Sequence, residues 1–398
     1  MDRCAGVEFV RLSGLLKLVA ADGTAYHHTP NREPLAPCEG TRFKTRVAFA
    51  AAHVVVDSLR TTEPLTQPVV DWDATLAYRE YLWSLGFGVA EAMDTAQRGM
   101  GLDWPLALEL IKRSTRAAKE RGALIACGAG TDHLTRGKDY SVADVANAYL
   151  EQCQAIEAVD GRIILMASRA LAAIARDAGD YASVYGSVLA QVREPVILHW
   201  LGPMFDPALE GYWGESSIPA AMENCLAIIR ANEKKVDGIK ISLLDDGLEI
   251  SMRRQLPAGV RMYTGDDFNY DSLILGDEQG HSDALLGIFD AIAPAASLAL
   301  SALDAGDVSR YEELLRPTVP LSRHIFASPT QHYKTGVVFL AYLNGFQSHF
   351  RMIRGAESAR SVAHLCELFV LADKAGVLRD PEVAAERMRK FLVLAGVS

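Results

Sequence analysis

Arg46-Val47-Ala48-Phe49-Ala50-Ala51-Ala52-His53-Val54-Val55 is a near-continuous apolar run with a single histidine near its end. Such a run suits a strand buried on both faces, as in a parallel sheet. The same kind of run recurs at Gly88-Val89-Ala90-Glu91-Ala92-Met93, Ala123-Leu124-Ile125-Ala126-Cys127 and Arg162-Ile163-Ile164-Leu165-Met166. It returns at Pro195-Val196-Ile197-Leu198-His199, Val236-Asp237-Gly238-Ile239-Lys240-Ile241, Val260-Arg261-Met262-Tyr263 and Ala284-Leu285-Leu286-Gly287-Ile288. Between these runs, 73–86, 103–121, 141–158 and 217–234 carry apolar residues at helical spacing. Asp103 and Ser141 stand where N-caps belong, and Pro105 lies just inside its helix. Strands alternating with helices over roughly 250 residues predict an α/β fold, a (β/α)8 TIM barrel. A doubly wound sheet is the alternative, but no G-x-G-x-x-G follows an early strand.

The flanks differ from this core. Val7–Leu12, Leu15–Val19 and Ala25–Thr29 read as short strands around an Asp22-Gly23 turn, followed by Pro30, Pro34 and Pro37. Beyond residue 300 the pattern is helical, over 307–316, 332–353, 357–376 and 381–396. The expected division is a β-rich appendage at 1–40, a catalytic barrel at 41–304 and a helical extension at 305–398.

Of the 398 residues, 40 are Lys or Arg and 50 are Asp or Glu, a net charge of −10. That balance disfavours nucleic acid and anionic membranes as partners, since both need basic surface. No apolar run reaches the ~18 residues of a spanning helix. Met1–Glu8 lacks the order of a signal peptide. The six cysteines (4, 38, 127, 153, 225 and 366) never fall in C-x-x-C spacing, so they read as buried thiols of a reducing cytoplasm.

Active residues of a barrel lie where its strands end. Those positions hold His53, Asp94-Thr95, Thr131-Asp132-His133, Ser168-Arg169, His199-Trp200, Lys240 and Gly265-Asp266-Asp267. Lys240 sits among apolar neighbours that would desolvate its ammonium, lower its pKa and leave an amine able to attack a carbonyl. A lysine that merely reaches out to solvent from a strand end is the competing reading.

Gly238-Ile239-Lys240-Ile241-Ser242, after the helix 217–234, resembles the sixth strand of the dihydrodipicolinate synthase / N-acetylneuraminate lyase family. Tyr263-Thr264-Gly265-Asp266-Asp267 resembles that family's glycine–acid–Asp segment after the seventh strand. Ala293-Pro294-Ala295-Ala296 falls near its proline at the start of the last barrel helix. Tyr333-Lys334-Thr335-Gly336 and Leu340–Gly345 resemble its C-terminal helices. The resemblance covers most of 46–380. It implies a class I lyase or aldolase that forms a Schiff base through Lys240 with a small 2-oxo acid or keto-sugar, without a cofactor, in a homo-oligomer (dimer or tetramer).

Two loops depart from the pattern, which marks a divergent branch. The family's G-T-T-G-E loop, which holds the substrate carboxylate, here reads Asp94-Thr95-Ala96-Gln97-Arg98-Gly99-Met100-Gly101, and Thr95 alone clearly matches. Asp94 would repel a bound carboxylate unless protonated or paired. The fifth-strand tyrosine of the family, a proton shuttle, is replaced by His199 in His199-Trp200-Leu201-Gly202-Pro203, and a histidine can do the same acid–base work. Lys240 and His199 are therefore the expected catalytic pair. Thr95, Asp94, Gln97, Arg169, Trp200, Gly265, Asp266 and Asp267 are the expected substrate-binding residues.

Each weaker signal has a plainer reading beside it. His53 is a base or ligand, or a hydrogen-bonded core residue. Arg169 is an anion fork or an ordinary ion pair. Asp266 and Asp267 bind hydroxyls or cap a helix at 268–276. Tyr212-Trp213-Gly214 closes over the pocket or meets another subunit. Met93 and Met166 fill the core, and Asp245-Asp246 makes a turn or an N-cap. Two other functions stay open. His53, Asp94, His133, His199 and Asp267 could hold a divalent metal for a class II aldolase or isomerase. The barrel could also be a binding protein without catalysis.

Overall fold

The computed structural model describes residues 15–36, 42–135 and 137–397. The strand expected at 7–12 lies outside them, as do Cys4 and Cys38. Leu16–Val19 (β1) and Ala25–His28 (β2) form an antiparallel hairpin, turned at Asp22-Gly23 where Gly23 takes φ +84°. Leu16 and Leu18, spaced by the strand period of two, are its buried face.

Eight further strands follow: β3 (Ala48–Ala51), β4 (Gly88–Glu91), β5 (Ile125–Ala129), β6 (Arg162–Leu165), β7 (Val196–Leu201), β8 (Val236–Ser242), β9 (Arg261–Thr264) and β10 (Asp283–Leu286). They close into one parallel barrel, β10-β3-β4-β5-β6-β7-β8-β9. The apolar runs are near-continuous because each strand is covered inside by the barrel core and outside by helices. Phe49, Ile164, Ile197, Tyr263 and Leu285 fill the interior. Gly88 is required there, because a Cβ would lie 2.6 Å from the Phe49 ring.

The helices between strands are α1 (Trp72–Ser84), α2 (Trp104–Arg121), α3 (Val142–Glu157), α4 (Arg169–Ile174), α5 (Ala178–Leu189), α6 (Ile218–Ala231), α7 (Asp246–Arg253) and α8 (Tyr270–Leu275). Asp103 and Ser141 cap α2 and α3 as expected, Ser141 in a capping box with Asp144. Asp245 caps α7. The last barrel helix, α9 (Ile288–Asp304), contains Pro294 in its interior rather than at its start, two residues beyond a kink at Ile292.

The C-terminal extension holds α10 (Val308–Leu315), α11 (Val319–Ile325), α12 (Tyr333–Leu343), α13 (Val362–Lys374) and α14 (Pro381–Leu394). The helix expected over 332–353 is shorter. It stops at Asn344-Gly345, where Gly345 adopts φ +82° and the Asn344 side chain binds Val377 O and Arg379 N. The hairpin packs on α13 and α14, and Asp373 of α13 accepts from His28 and from the amides of Asn31 and Arg32. The two ends of the chain thus form one body beside the barrel. Cys127, Cys153, Cys225 and Cys366 are buried free thiols.

Candidate active site

Lys240 and His199 are register partners on β8 and β7, and Tyr263 is the partner of Lys240 on β9. The two-residue period puts Ile197, His199, Gly238 and Lys240 on the barrel's inner face. Both side chains, His199 and Lys240, are almost fully buried. Burial pushes the Lys240 ammonium below the ordinary lysine value, although Asp267 and Asp94 pull it back up. Burial, reinforced by the Lys240 charge, holds His199 well below the usual imidazole range. The nearest polar partner of His199 Nε2 is Ser242 Oγ, at 3.5 Å.

Gly265 makes room for the lysine. A Cβ there would sit 2.4 Å from Ser242 Oγ, 2.5 Å from Ile241 O and 2.7 Å from Lys240 Cε. The neighbouring Asp267 is buried, and its Oδ1 accepts from the Ile288 amide at 3.0 Å. Burial raises its carboxyl to about 7, against the opposing pull of Lys240 and that amide. A lysine inclined to lose its proton therefore stands beside an acid inclined to keep one.

A cavity of about 570 Å³ opens at this end of the barrel, lined by Asp94, Thr131, Met166, Arg169, His199 and Asp206 among others. Arg169, on the cavity wall, is ion-paired with Asp206. Arg98 makes a two-pronged pair with Asp132, 2.7 Å on each side, and also donates to Gln152 at 2.7 Å. Thr131 and Ser168 share a hydroxyl–hydroxyl bond of 2.6 Å.

Several expected residues lie elsewhere. Trp200 faces out of the barrel against Trp213, because it is one residue from the inward His199 and the strand period alternates. Gln97 exchanges both amide bonds with the Ile353 backbone, Nε2 to O at 3.0 Å and N to Oε1 at 3.1 Å, so it ties the second-strand loop to the extension. Asp266 caps the turn into α8, accepting from Phe268 N, Asn269 N and Asn269 Nδ2. Tyr212 and Trp213 are buried rather than exposed. The Tyr212 hydroxyl accepts from Ser168 N at 3.0 Å and bonds Tyr185 OH, which props the fourth-strand loop from behind. Met93 and Met166 belong to the interior cluster.

The five residues of the metal reading are not gathered. His53 Nδ1 is bound to Asp290 at 2.8 Å, and His133 bonds Gln152. Among the described residues, no three His, Cys, Asp or Glu side chains are placed to share an ion.

The extension supplies residues that pattern reading left out. Tyr333, buried and stacked on Phe326 with ring centroids 4.3 Å apart, bonds Thr95 Oγ1 through its hydroxyl at 2.8 Å. Lys334 is also buried, donates to Gln331 O at 3.1 Å and feels Asp94, Arg169 and Lys240. Their signal in the sequence was only their place in a helical tail, which no strand-end rule reaches.

Residues 16–397 match the model of the family described as "Protein of unknown function (DUF993)". The chain belongs to that family. No curated protein matches the chain. Solved structures do. Dihydrodipicolinate synthase from Aquifex aeolicus superposes with a TM-score of 0.61 at 13% identity, covering 84% of this chain and 99% of its own. The Thermotoga maritima enzyme gives 0.59 at 14%, covering 89% and 100%. YagE from E. coli K12, a dihydrodipicolinic acid synthase family protein solved with pyruvate, gives 0.60 at 14%, covering 89% and 99%. This DUF993 member therefore has the fold of the dihydrodipicolinate synthase family over 84–89% of its length. No helix among the described residues is long and apolar enough to cross a membrane.

Proposed function

We propose that the protein is a Schiff-base lyase or aldolase acting on a small 2-oxo acid or keto-sugar-type carbonyl compound. The observation that carries this reading is Lys240, a buried amine on the inner face of the barrel with His199 and Asp267 beside it. A neutral Lys240 Nζ attacks the carbonyl carbon, forming the C–N bond as the C=O π pair moves to oxygen. Asp267, whose carboxyl is pushed up to about 7, hands that oxygen its proton, giving a carbinolamine. The nitrogen's proton passes through the Asp267 carboxylate to the hydroxyl, which departs as water and leaves a protonated imine.

His199, held well below the usual imidazole range and so free to accept a proton, removes one from the carbon next to the imine carbon, and the electron pair released flows into the C=N bond and quenches the charge on the imine nitrogen. The resulting enamine attacks an acceptor carbonyl, or forms in reverse when a C–C bond breaks. Asp94 lies on the cavity wall and acts on both Lys240 and Lys334, and an acidic side chain there favours a substrate hydroxyl or ammonium over a second carboxylate. The Thr95–Tyr333 pair offers a hydroxyl to the substrate's oxygen atoms.

Proton exchange tests this. With pyruvate in D2O, the wild-type protein should exchange the methyl protons, followed by NMR, and Lys240→Ala should not. Exchange that is the same with Lys240→Ala would remove the lysine from the chemistry.

A further inference from the structure

The cavity reaches His199, the register partner of Lys240, and Asp94, which acts on the Lys240 charge. Beside these and Thr131, its lining includes the aliphatic side chains of Leu134, Ala170, Ala173, Ile174, Leu201 and Leu209. These come from three separate segments: the loop after β5, the exposed side of α4, and the stretch from the end of β7 to residue 209. Three segments converging with aliphatic side chains on one space is not what a solvated rim shows, where charged groups dominate.

The charges that do line the cavity are largely spoken for. Arg98 is locked to Asp132 and Arg169 to Asp206, while Lys138 lies 5.6 Å over the Tyr140 ring. Neither arginine is left to draw in a charged group of the substrate without breaking its pair. The size is also out of scale with a three-carbon acid. Its roughly six heavy atoms, even at the ~30 Å³ a water occupies in the liquid, leave well over half of such a space unfilled. The whole lies in the ordinary range of small-molecule sites.

We infer that the substrate is amphiphilic: a carbonyl head at Lys240 carrying an apolar aliphatic or aromatic tail that lies against α4. This rests on the reading of Lys240 as the carbonyl-binding amine, and it adds the class of substrate. Ala170, Ala173 and Ile174, spaced i, i+3 and i+4 along α4, keep that side of the helix low and apolar, so a chain or ring passes over it. A polyhydroxylated or second-carboxylate tail would lose its water there without gaining donors.

Calorimetric titration of a homologous series tests the inference. Pyruvate, 2-oxobutanoate, 2-oxohexanoate and 4-phenyl-2-oxobutanoate extend an apolar tail from one head, and 2-oxoglutarate carries a charged tail of comparable length. Affinity should rise by ~10-fold or more from pyruvate to the longest apolar members, and 2-oxoglutarate should show no such gain. Ala173→Asp should bring the long-to-short ratio close to one, with the circular dichroism spectrum retained. Repeating the series on Lys240→Ala separates the two readings. A chain-length gain that survives there without any imine keeps the apolar subsite, whichever way the lysine reading falls. Equal affinities across the apolar series, or tighter binding of 2-oxoglutarate, would overturn the inference.

Discussion

Gly265 and Lys240 set the terms of the chemistry at the scale of single residues. Lys240 Cε lies 2.7 Å from where a Gly265 Cβ would be, so Gly265→Ala must displace the amine or the strand end. A misplacement of about 1 Å at a reacting group costs ~100-fold in rate. Gly265→Ala is therefore expected to slow exchange of pyruvate protons by about that factor while the far-ultraviolet circular dichroism stays unchanged. An unchanged rate would mean the close approach has no part in placing the amine. The pH dependence follows from the same residues. Only the neutral amine attacks, and Lys240 is shifted down by burial while Asp267 and Asp94 resist. Exchange should rise with pH through a midpoint below the 10.5 of an ordinary lysine. Removing the opposing charge in Asp267→Asn should move that midpoint lower still, since an adjacent anion favours the ammonium. A midpoint that moves up would reverse the assignment of the pair.

Elements explain which parts of this were readable. Every barrel strand was legible as an apolar run because a parallel strand covered on both faces has no polar side to hide it. Lys240 and His199 were legible because they interrupt such runs near strand ends. Trp200 misled because a strand end supplies neighbours of both orientations and sequence position alone does not tell inside from outside. Gln97 misled because its partner is Ile353, 256 residues away, and no local pattern carries that distance. Tyr333 was missed for the same reason.

The helix α7 shows a further consequence of packing. Its Glu249 is buried, accepts from Ser282 Oγ at 2.6 Å through one oxygen and leaves the other without a hydrogen bond. Burial raises this carboxyl from 4.5 to about 8. The unfolded chain releases the proton first, so stability falls as pH rises between those values, by on the order of a few kcal/mol in all. Glu249→Gln keeps a neutral group in place. Its Tm should match the wild type below pH 4.5 and exceed it at pH 9 in thermal unfolding followed by circular dichroism. A difference independent of pH would show that the carboxyl is not the cause.

For the whole molecule, the barrel and extension are fastened to each other around the strand ends and loops that carry the candidate site. Tyr333 bonds Thr95, Ile353 binds Gln97, and Ser322 Oγ donates to Asp267 O. The extension thus contributes to the site as well as to bulk. Inside the barrel wall, Arg79 and Glu91 form a fully buried two-pronged pair, 2.9 Å on both sides, and Arg79 also donates to His53 O and Thr75 O. Losing one partner strands the other charge away from water, which costs about 3–5 kcal/mol. Glu91→Ala should lower the unfolding free energy in urea by that amount. A loss below about 1 kcal/mol, the value of a surface pair, would show that water reaches the arginine.

All of the proposed chemistry passes through an imine at Lys240. Borohydride reduction of the protein mixed with a 2-oxo acid, followed by peptide mass mapping, tests it most directly. A stable adduct confined to Lys240 and absent from Lys240→Ala is the expected result. An adduct on another lysine, such as Lys334, or none with any carbonyl compound, would contradict it.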